Sequence, residues 1–242
     1  MQQKHIFLLL FITFQSLIAH AETQALTQLS AETASAIDLY KSQDYRAAFN
    51  AFEKLANNDS DPVAQYYLAN MYAGGQGTEP DKEKAFQWFK TSAKQGHAKA
   101  QFKTGLAYNE GFGTKKDPAK AFKWFEKAAN QGVAEAQFYL AVAYQQGEVV
   151  QKDLIKAAKW MKLSAKQGIP EAQINLGNFY TEGQGLRQDN VLAFAWYSIA
   201  ALSGNEQAET AQQMLVTKMT QEDIHEGEAL AKKIYKRMSN LQ

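Results

Sequence analysis

The stretch EGFGTKKD (Glu110–Asp117) combines two glycines one residue apart with two lysines, which are the residue types of a phosphate-binding loop. Such a loop needs free backbone amides and a cation held beside them. The same glycine spacing recurs at Gly75 and Gly77 and at Gly183 and Gly185, whereas the paired lysines do not recur. Because only the turn repeats, we interpret the stretch as the bend between two helices.

The other residues with catalytic potential do not complete any recognised motif. Two histidines, His97 and His225, follow the first 21 residues, and His225-Glu226 lacks the second histidine of a zinc-protease helix. Lys103-Thr104-Gly105 matches one element of the penicillin-recognising serine enzymes, but the chain has no S-x-x-K to supply a nucleophile. We therefore predict no catalytic residues, no cofactor and no metal site.

The first 21 residues have the pattern of a cleaved signal peptide. Lys4 supplies a positive charge, residues 6–18 are mostly apolar, and Ala19-His20-Ala21 matches the A-x-A cleavage signature. An uncleaved anchor is the alternative, but the apolar run is shorter than the roughly 20 residues of a membrane-spanning helix. We expect cleavage after Ala21, a periplasmic or secreted location and no stable membrane insertion afterwards.

Composition narrows the class of partner and the source of stability. The chain has 26 basic and 25 acidic residues, so it lacks the strong positive field of proteins that bind nucleic acid. It contains no cysteine, which excludes disulfides and thiolate metal sites. With 45% hydrophobic residues, its stability must come from packing.

A repeat of 36 residues organises most of the chain. Four units align without a gap: 61–96, 97–132, 133–168 and 169–204. Seven positions keep the same residue in every unit, and in the first unit they are Gln65, Tyr72, Gly75, Asp81, Ala85, Trp88 and Gly96. The third unit keeps Gly147 but has Val149 in place of the second glycine. Such fixed offsets over four units indicate a repeat array.

Each unit is predicted to form two helices. In the second unit the apolar positions have helical spacing, Gly111 suits a left-handed helix end, and Asp117 and Pro118 suit the start of the next helix. Residues 22–60 are predicted to be a linker and a capping helix pair, and residues 205–242 a second capping pair. In the latter, Thr220 and Asp223 resemble a capping box.

The pattern A-x-A-Q-x-x-L-G-x-x-Y-x-x-G-x-G, followed by D-x-x-K-A-x-x-W and a closing A-x-Q-G, resembles the Sel1-like repeat, a relative of the tetratricopeptide repeat. The resemblance covers residues 61–204. It implies an all-α fold, an α-α superhelical solenoid of helix pairs. It also implies that the first helix of each unit lines a concave face.

By that geometry, two rows of side chains point into the concave face. The first row, which is apolar, consists of Tyr66, Phe102, Phe138 and Ile174. Regular apolar positions are usually core, so the pattern favours packing between repeats over ligand contact for this row. The second row varies between units, as expected of a groove fitted to one ligand, and consists of Asn70, Leu106, Val142 and Asn178. Asn109 and Gln145 lie on the same helical faces.

These features predict an exported scaffold or adaptor that binds a protein or peptide partner through the concave face. Amides beside aliphatic residues suit a peptide, whose backbone needs hydrogen bonds while its side chains need apolar contacts. The resemblance also implies an alternative, because some exported Sel1-like proteins are described as β-lactamase or penicillin-binding proteins. A cell-envelope enzyme or inhibitor acting on peptidoglycan or β-lactams, or a peptidoglycan-related partner, therefore stays open. The absence of cysteine and of S-x-x-K disfavours the enzyme.

Overall fold

The computed structural model describes residues 31–58 and 60–239, and all the regular secondary structure in these residues is helical. The predicted signal peptide, residues 1–21, lies outside the described residues, as does the linker up to residue 30. No described helix is both long and apolar enough to cross a membrane. The helices are α1 (31–41), α2 (Tyr45–Asn58), α3 (Pro62–Gly74), α4 (Lys82–Lys94), α5 (Ala98–Glu110), α6 (Pro118–Asn130), α7 (Ala134–Gln146), α8 (Leu154–Lys166), α9 (Pro170–Glu182), α10 (Asn190–Ala201), α11 (Glu206–Val216) and α12 (Gln221–Ser239).

Each predicted repeat contains one pair of these helices, so the predicted all-α helix-pair fold is confirmed. The first helices are α3, α5, α7 and α9, and the second helices are α4, α6, α8 and α10. Every second helix begins after the aspartate of the repeat, as expected of an N-cap. In the second repeat, Asp117 Oδ1 accepts a hydrogen bond of 2.9 Å from Lys120 N, and the other caps have the same geometry.

The glycines between the two helices have two separate roles. Gly75, Gly147 and Gly183 end their first helices in the left-handed conformation, with φ of 67°, 76° and 68°. The second glycine packs against an earlier helix. A Cβ on Gly113 would lie 2.0 Å from Lys82 O, and one on Gly185 would lie 2.0 Å from Leu154 O. These positions require glycine because no side chain fits there.

The helices divide into two compact bodies, called unit 1 and unit 2 from here on, which are distinct from the 36-residue repeats. Unit 1 contains the described residues up to Ala100 together with Phe112–Thr114, and its core joins α1 to α4 around Phe52, Leu68 and Met71. Unit 2 contains Gln101–Gly111 and the described residues from Lys115 onward. Its main core joins α7 to α12.

In each unit, a buried glutamine on a first helix links three elements. Gln137 Nε2 on α7 donates to Ala129 O on α6 at 3.3 Å, and its Oε1 accepts from Gln167 Nε2, just after α8, at 2.8 Å. In unit 1, Gln65 has the same pair of contacts, to Ala56 O and Gln95 Nε2. The repeated glutamine is therefore a satisfied buried hydrogen-bonding group, which explains its recurrence.

The last helix covers the final repeat. Its start is a capping box, as predicted from the sequence, because Asp223 N donates to Thr220 Oγ1 while Thr220 N donates to Asp223 Oδ2. Gly227 lies on α12 where a Cβ would be 2.6 Å from the ring of Phe194 on α10. The two helices therefore approach closely at this point.

Candidate functional site

The aromatic side chains of the first predicted row contact other rings. The centre of the Tyr66 ring lies 4.8 Å from that of His97 in unit 1. In unit 2, the rings of Phe102 and Phe138 each lie 5.9 Å from the ring of Tyr139. The three aromatic side chains of the row are half-buried, and its fourth member, Ile174, is buried. These ring contacts favour packing for this row, as the sequence pattern does.

The side chains of the second predicted row are all half-buried, and its two amides make hydrogen bonds inside the protein. Asn70 Nδ2 donates to Tyr66 O at 2.7 Å, within its own helix. Asn178 Oδ1 accepts a bond of 2.7 Å from Tyr197 Oη on α10. Between these positions in sequence lie the aliphatic members, Leu106 and Val142. In unit 2, the row therefore combines apolar surface with an amide whose orientation is fixed.

Two predicted residues line a cavity of about 260 Å³ in unit 2. Asn109 on α5 and Val142 on α7 form part of its wall, and Phe122 and Phe125 on α6 form another part. Gln145, one turn after Val142, donates from Nε2 to Gln184 Oε1 at 3.3 Å instead. The cavity lies where the first helices of the second and third repeats meet the second helix between them.

The cavity lies where the third repeat departs from the glycine pattern. In the second and fourth repeats, the second glycine of the loop packs within van der Waals contact of the start of an earlier second helix. Val149 takes this position in the third repeat and is 39% exposed. Val149 lines the cavity together with Pro118, the first residue of α6. A branched side chain cannot approach a backbone as closely as glycine does, and the cavity lies at the position where this close contact is lost.

The cavity combines an apolar wall with a mixed polar rim. Tyr139 lies beside Phe125, with ring centres 4.8 Å apart and the rings stacked. Burial raises the pKa of the Tyr139 hydroxyl, with smaller contributions from Glu110 and Glu171. The hydroxyl therefore stays protonated at neutral pH. Lys116 and Glu148 at the rim carry opposite charges.

Of the residues predicted from the sequence as partner contacts, Asn109 and Val142 line this cavity, and most of its other lining residues were not predicted. Tyr139, Phe122 and Val149 were not among the predicted contacts. The signal for Val149 was visible, since it is the one break in the second glycine of the four repeats. The signal for Tyr139 was not visible, because its neighbours come from α5 and α6.

The residues that suggested chemistry have structural explanations. Gly113 packs on the backbone of Lys82, and Lys115 and Lys116 are exposed. Thr104 is fully buried, and Gly105 lies where a Cβ would be 2.6 Å from the ring of Phe125, so this triplet is part of helix packing.

His97 caps a helix rather than facing a reactive partner. Its Nδ1 accepts a hydrogen bond of 3.2 Å from Ala100 N in the first turn of α5. Across residues 31–58 and 60–239, no group of three or more histidine, aspartate or glutamate side chains has an arrangement that holds a metal ion.

Comparison with known proteins identifies the repeat. The Sel1 repeat model matches residues 62–97, 98–133, 134–169 and 170–205. The crystal structure of a Sel1 repeat protein from Oxalobacter formigenes is 34% identical, with 74% of each chain covered and a TM-score of 0.67.

Two further solved structures are more distant. The protein c5321, a protective antigen present in uropathogenic Escherichia coli strains, is 24% identical over 82% of this chain and 60% of its own, with a TM-score of 0.40. The immunity protein Pa5087 from Pseudomonas aeruginosa is 19% identical over 86% and 82%, with a TM-score of 0.48. A search of curated proteins gave no match. The four matched repeats and the 34% identity to a solved Sel1 repeat protein show that the chain belongs to the Sel1 repeat family.

Proposed function

We propose that this protein is a non-enzymatic scaffold that binds a protein or peptide partner on the first-helix face of its repeats. In unit 2 this face contains three members of the second predicted row, Leu106, Val142 and Asn178, and the cavity that Asn109 and Val142 line. The N-terminal sequence supports export, so the partner would be found in the periplasm or outside the cell.

The cavity beside Val149 is the observation that carries the proposal. It is about 260 Å³ in volume, with aromatic and aliphatic walls and polar groups at its edge. Peptide-binding sites use this combination, because apolar pockets accept side chains while polar groups satisfy the peptide backbone. The opposite charges of Lys116 and Glu148 favour a partner without strong net charge at this point.

Site-specific cross-linking in cells tests this site. A photo-reactive amino acid at Asn109 is expected to capture a defined partner, and the same group at the exposed Lys123 on α6 is the positional control. Val142→Asp should reduce the capture at least about fivefold, because it places a charge in an apolar wall. Thr91→Asp, at an exposed position of α4, controls for the added charge.

Two results would contradict the proposal. Equal capture from Asn109 and Lys123 would exclude this site. So would capture that is unchanged by Val142→Asp, provided that circular dichroism shows that the variant is folded. Saturable covalent labelling of the purified protein by a fluorescent penicillin would contradict the non-enzymatic function and support the envelope-enzyme alternative.

A further inference from the structure

A second cavity, of about 360 Å³, lies elsewhere in unit 2. Its walls come from α8, α9, α10 and the C-terminal helix α12, and it shares no lining residue with the cavity beside Val149. The walls are mostly apolar and are formed by Tyr180, Leu192, Trp196, Leu230, Ile234 and Met238. This volume is within the range of ligand-binding pockets, so the space is large enough for a bulky side chain.

The cavity arises where the fourth repeat departs from the first three. In those three, a lysine three residues after the N-cap aspartate lies over the ring of the repeated tyrosine. The distances from Nζ to the ring centre are 5.3 Å for Lys84 and Tyr72, 5.5 Å for Lys120 and Tyr108, and 5.2 Å for Lys156 and Tyr144.

In the fourth repeat the lysine is replaced by Leu192, and the tyrosine is Tyr180. Both residues line the cavity, and Trp196, only 2% exposed, lies one turn after Leu192. Where the other repeats place a cation over the tyrosine ring, the fourth therefore presents an apolar wall.

Three cations surround this apolar wall. Lys162 and Lys166 are one turn apart on α8, and Arg237 is in the last turn of α12. All three side chains are exposed, and none of the described residues that line the cavity is acidic. Separately, each charge on a solvated helix would need no explanation. Together around an apolar cavity, they form a positive rim that attracts carboxylates.

We propose that this cavity binds an acidic segment of a protein partner, which inserts one large apolar side chain between flanking carboxylates. The apolar side chain occupies the space beside Leu192 and Trp196. The carboxylates pair with Lys162, Lys166 and Arg237, where Arg offers a bidentate contact. This site is independent of the face proposed above, so either site can fail without the other.

Binding of short peptides tests the chemistry directly. The probe is a fluorescein-labelled peptide, Asp-Glu-Phe-Glu-Asp. Its binding to the full chain, after removal of residues 1–21, is measured by fluorescence polarisation. We expect saturable binding that weakens at least about tenfold when the phenylalanine is replaced by serine. A Lys-Lys-Phe-Lys-Lys peptide should not bind measurably, because the rim is positive.

Two variants separate the apolar and the charged contributions. Leu192→Lys restores the residue of the first three repeats, so it is compatible with the fold, and it replaces the apolar wall with a cation. The double variant Lys162→Glu and Lys166→Glu reverses the rim. Each should weaken binding of the phenylalanine peptide at least about tenfold. The matched control is Lys90→Glu with Lys94→Glu, at the corresponding positions of α4, which should leave binding unchanged.

Several outcomes would overturn the proposal. If the phenylalanine peptide bound the Leu192→Lys variant more tightly than the unmodified chain, charge alone would drive its association. Equal weakening by the α4 control would show that the peptide responds to general charge.

Binding of a different ligand in the cavity would give a distinct result and would also overturn the proposal of an acidic peptide segment. Dodecanoate or phosphatidylglycerol vesicles that bind with the same dependence on Leu192, while the peptide does not, would assign the cavity to a lipid. A dimer in sedimentation that is abolished by Leu192→Lys would assign it to a second copy of this chain.

Discussion

Protonation of His97 would remove a hydrogen bond at the start of α5. Its Nδ1 accepts the hydrogen bond from Ala100 N, and its ring lies against Tyr66. Burial lowers the pKa of the imidazole, and Lys99 lowers it further, while Asp61 acts in the opposite direction. The protonated ring cannot accept a hydrogen bond at Nδ1. Neutral His97 is therefore part of the folded state.

The pH dependence of stability follows from this lowered pKa. Below about pH 6.5, the ordinary value for histidine, the unfolded chain binds the proton more readily than the folded chain. The stability contributed by neutral His97 is thus present above that pH and is lost as the pH falls towards the lowered folded value. His97→Asn should keep the cap, because an asparagine oxygen also accepts from the backbone, and should lose part of this dependence.

Urea unfolding at pH 7.5 and pH 5.0 measures the effect. The decrease in unfolding free energy between these two pH values should be smaller for His97→Asn than for the unmodified chain. His225→Asn, on the exposed side of α12, is the control for loss of a histidine. An unchanged decrease in His97→Asn would refute the assignment.

The loop between the first and second helix of a repeat either packs closely on an earlier helix or borders a cavity, depending on the residue at the second glycine position. The loop of the fourth repeat packs Gly185 on Leu154 O, whereas in the loop of the third repeat Val149 lines the cavity. A side chain at residue 185 would meet a backbone oxygen and would also require a positive φ, which is 67° at Gly185. The two loops therefore form a matched pair for substitution.

Exchanging the two residue types should have opposite effects. Gly185→Val is expected to lower the unfolding free energy by roughly 2–5 kcal/mol, from backbone strain and overpacking together. Val149→Gly should cost little or stabilise, and should reduce capture from Asn109 as the loop closes over the cavity. Chemical denaturation measures the first effect and cross-linking the second. A fully stable Gly185→Val would show that the loop can stand away at no cost.

Much of the helix and loop structure can be predicted from the sequence, and the features that cannot be predicted all depend on contacts between different helices. The repeat spacing, the Asp117 N-cap and the Thr220 capping box are local patterns, so they were predictable. The contacts of Gln137 to Ala129 and Gln167 span neighbouring helices, and sequence offsets show that the glutamine recurs without showing what it bonds. The replacement by Leu192 was also readable, but the cavity depends on where α12 lies. Non-local packing is what the pattern leaves open.

In the whole molecule, stability is expected to depend on nearest neighbours, as in other repeat arrays. The fourth repeat has α12 on its outer side, where Gly227 allows close approach to Phe194. Without this cover, apolar residues of α10 such as Phe194 and Trp196 would be exposed to water. We therefore expect the C-terminal helix to act as a cap for the last repeat.

Gly227→Val tests the local effect of this cap. The added side chain collides with the Phe194 ring and should push α12 away from α10. Amide hydrogen exchange should become faster in α10 and α12, while α3 and α4 in unit 1 keep their protection. Glu228→Ala, at the exposed neighbouring position, is the control. A uniform increase in exchange across both units would show that the array unfolds as a single cooperative unit.

The hydrogen bonds made by Gln65 and Gln137 join elements through neutral amides rather than ions. The ion pairs of Lys84, Lys120 and Lys156 lie at the surface, and each is formed within the start of a single helix. Added salt screens exposed charges but has little effect on buried amide contacts. Ionic strength can therefore separate ligand binding from folding. Raising the salt concentration should weaken the binding of an acidic ligand at the rim of Lys162, Lys166 and Arg237, while the contacts between helices in the repeats persist.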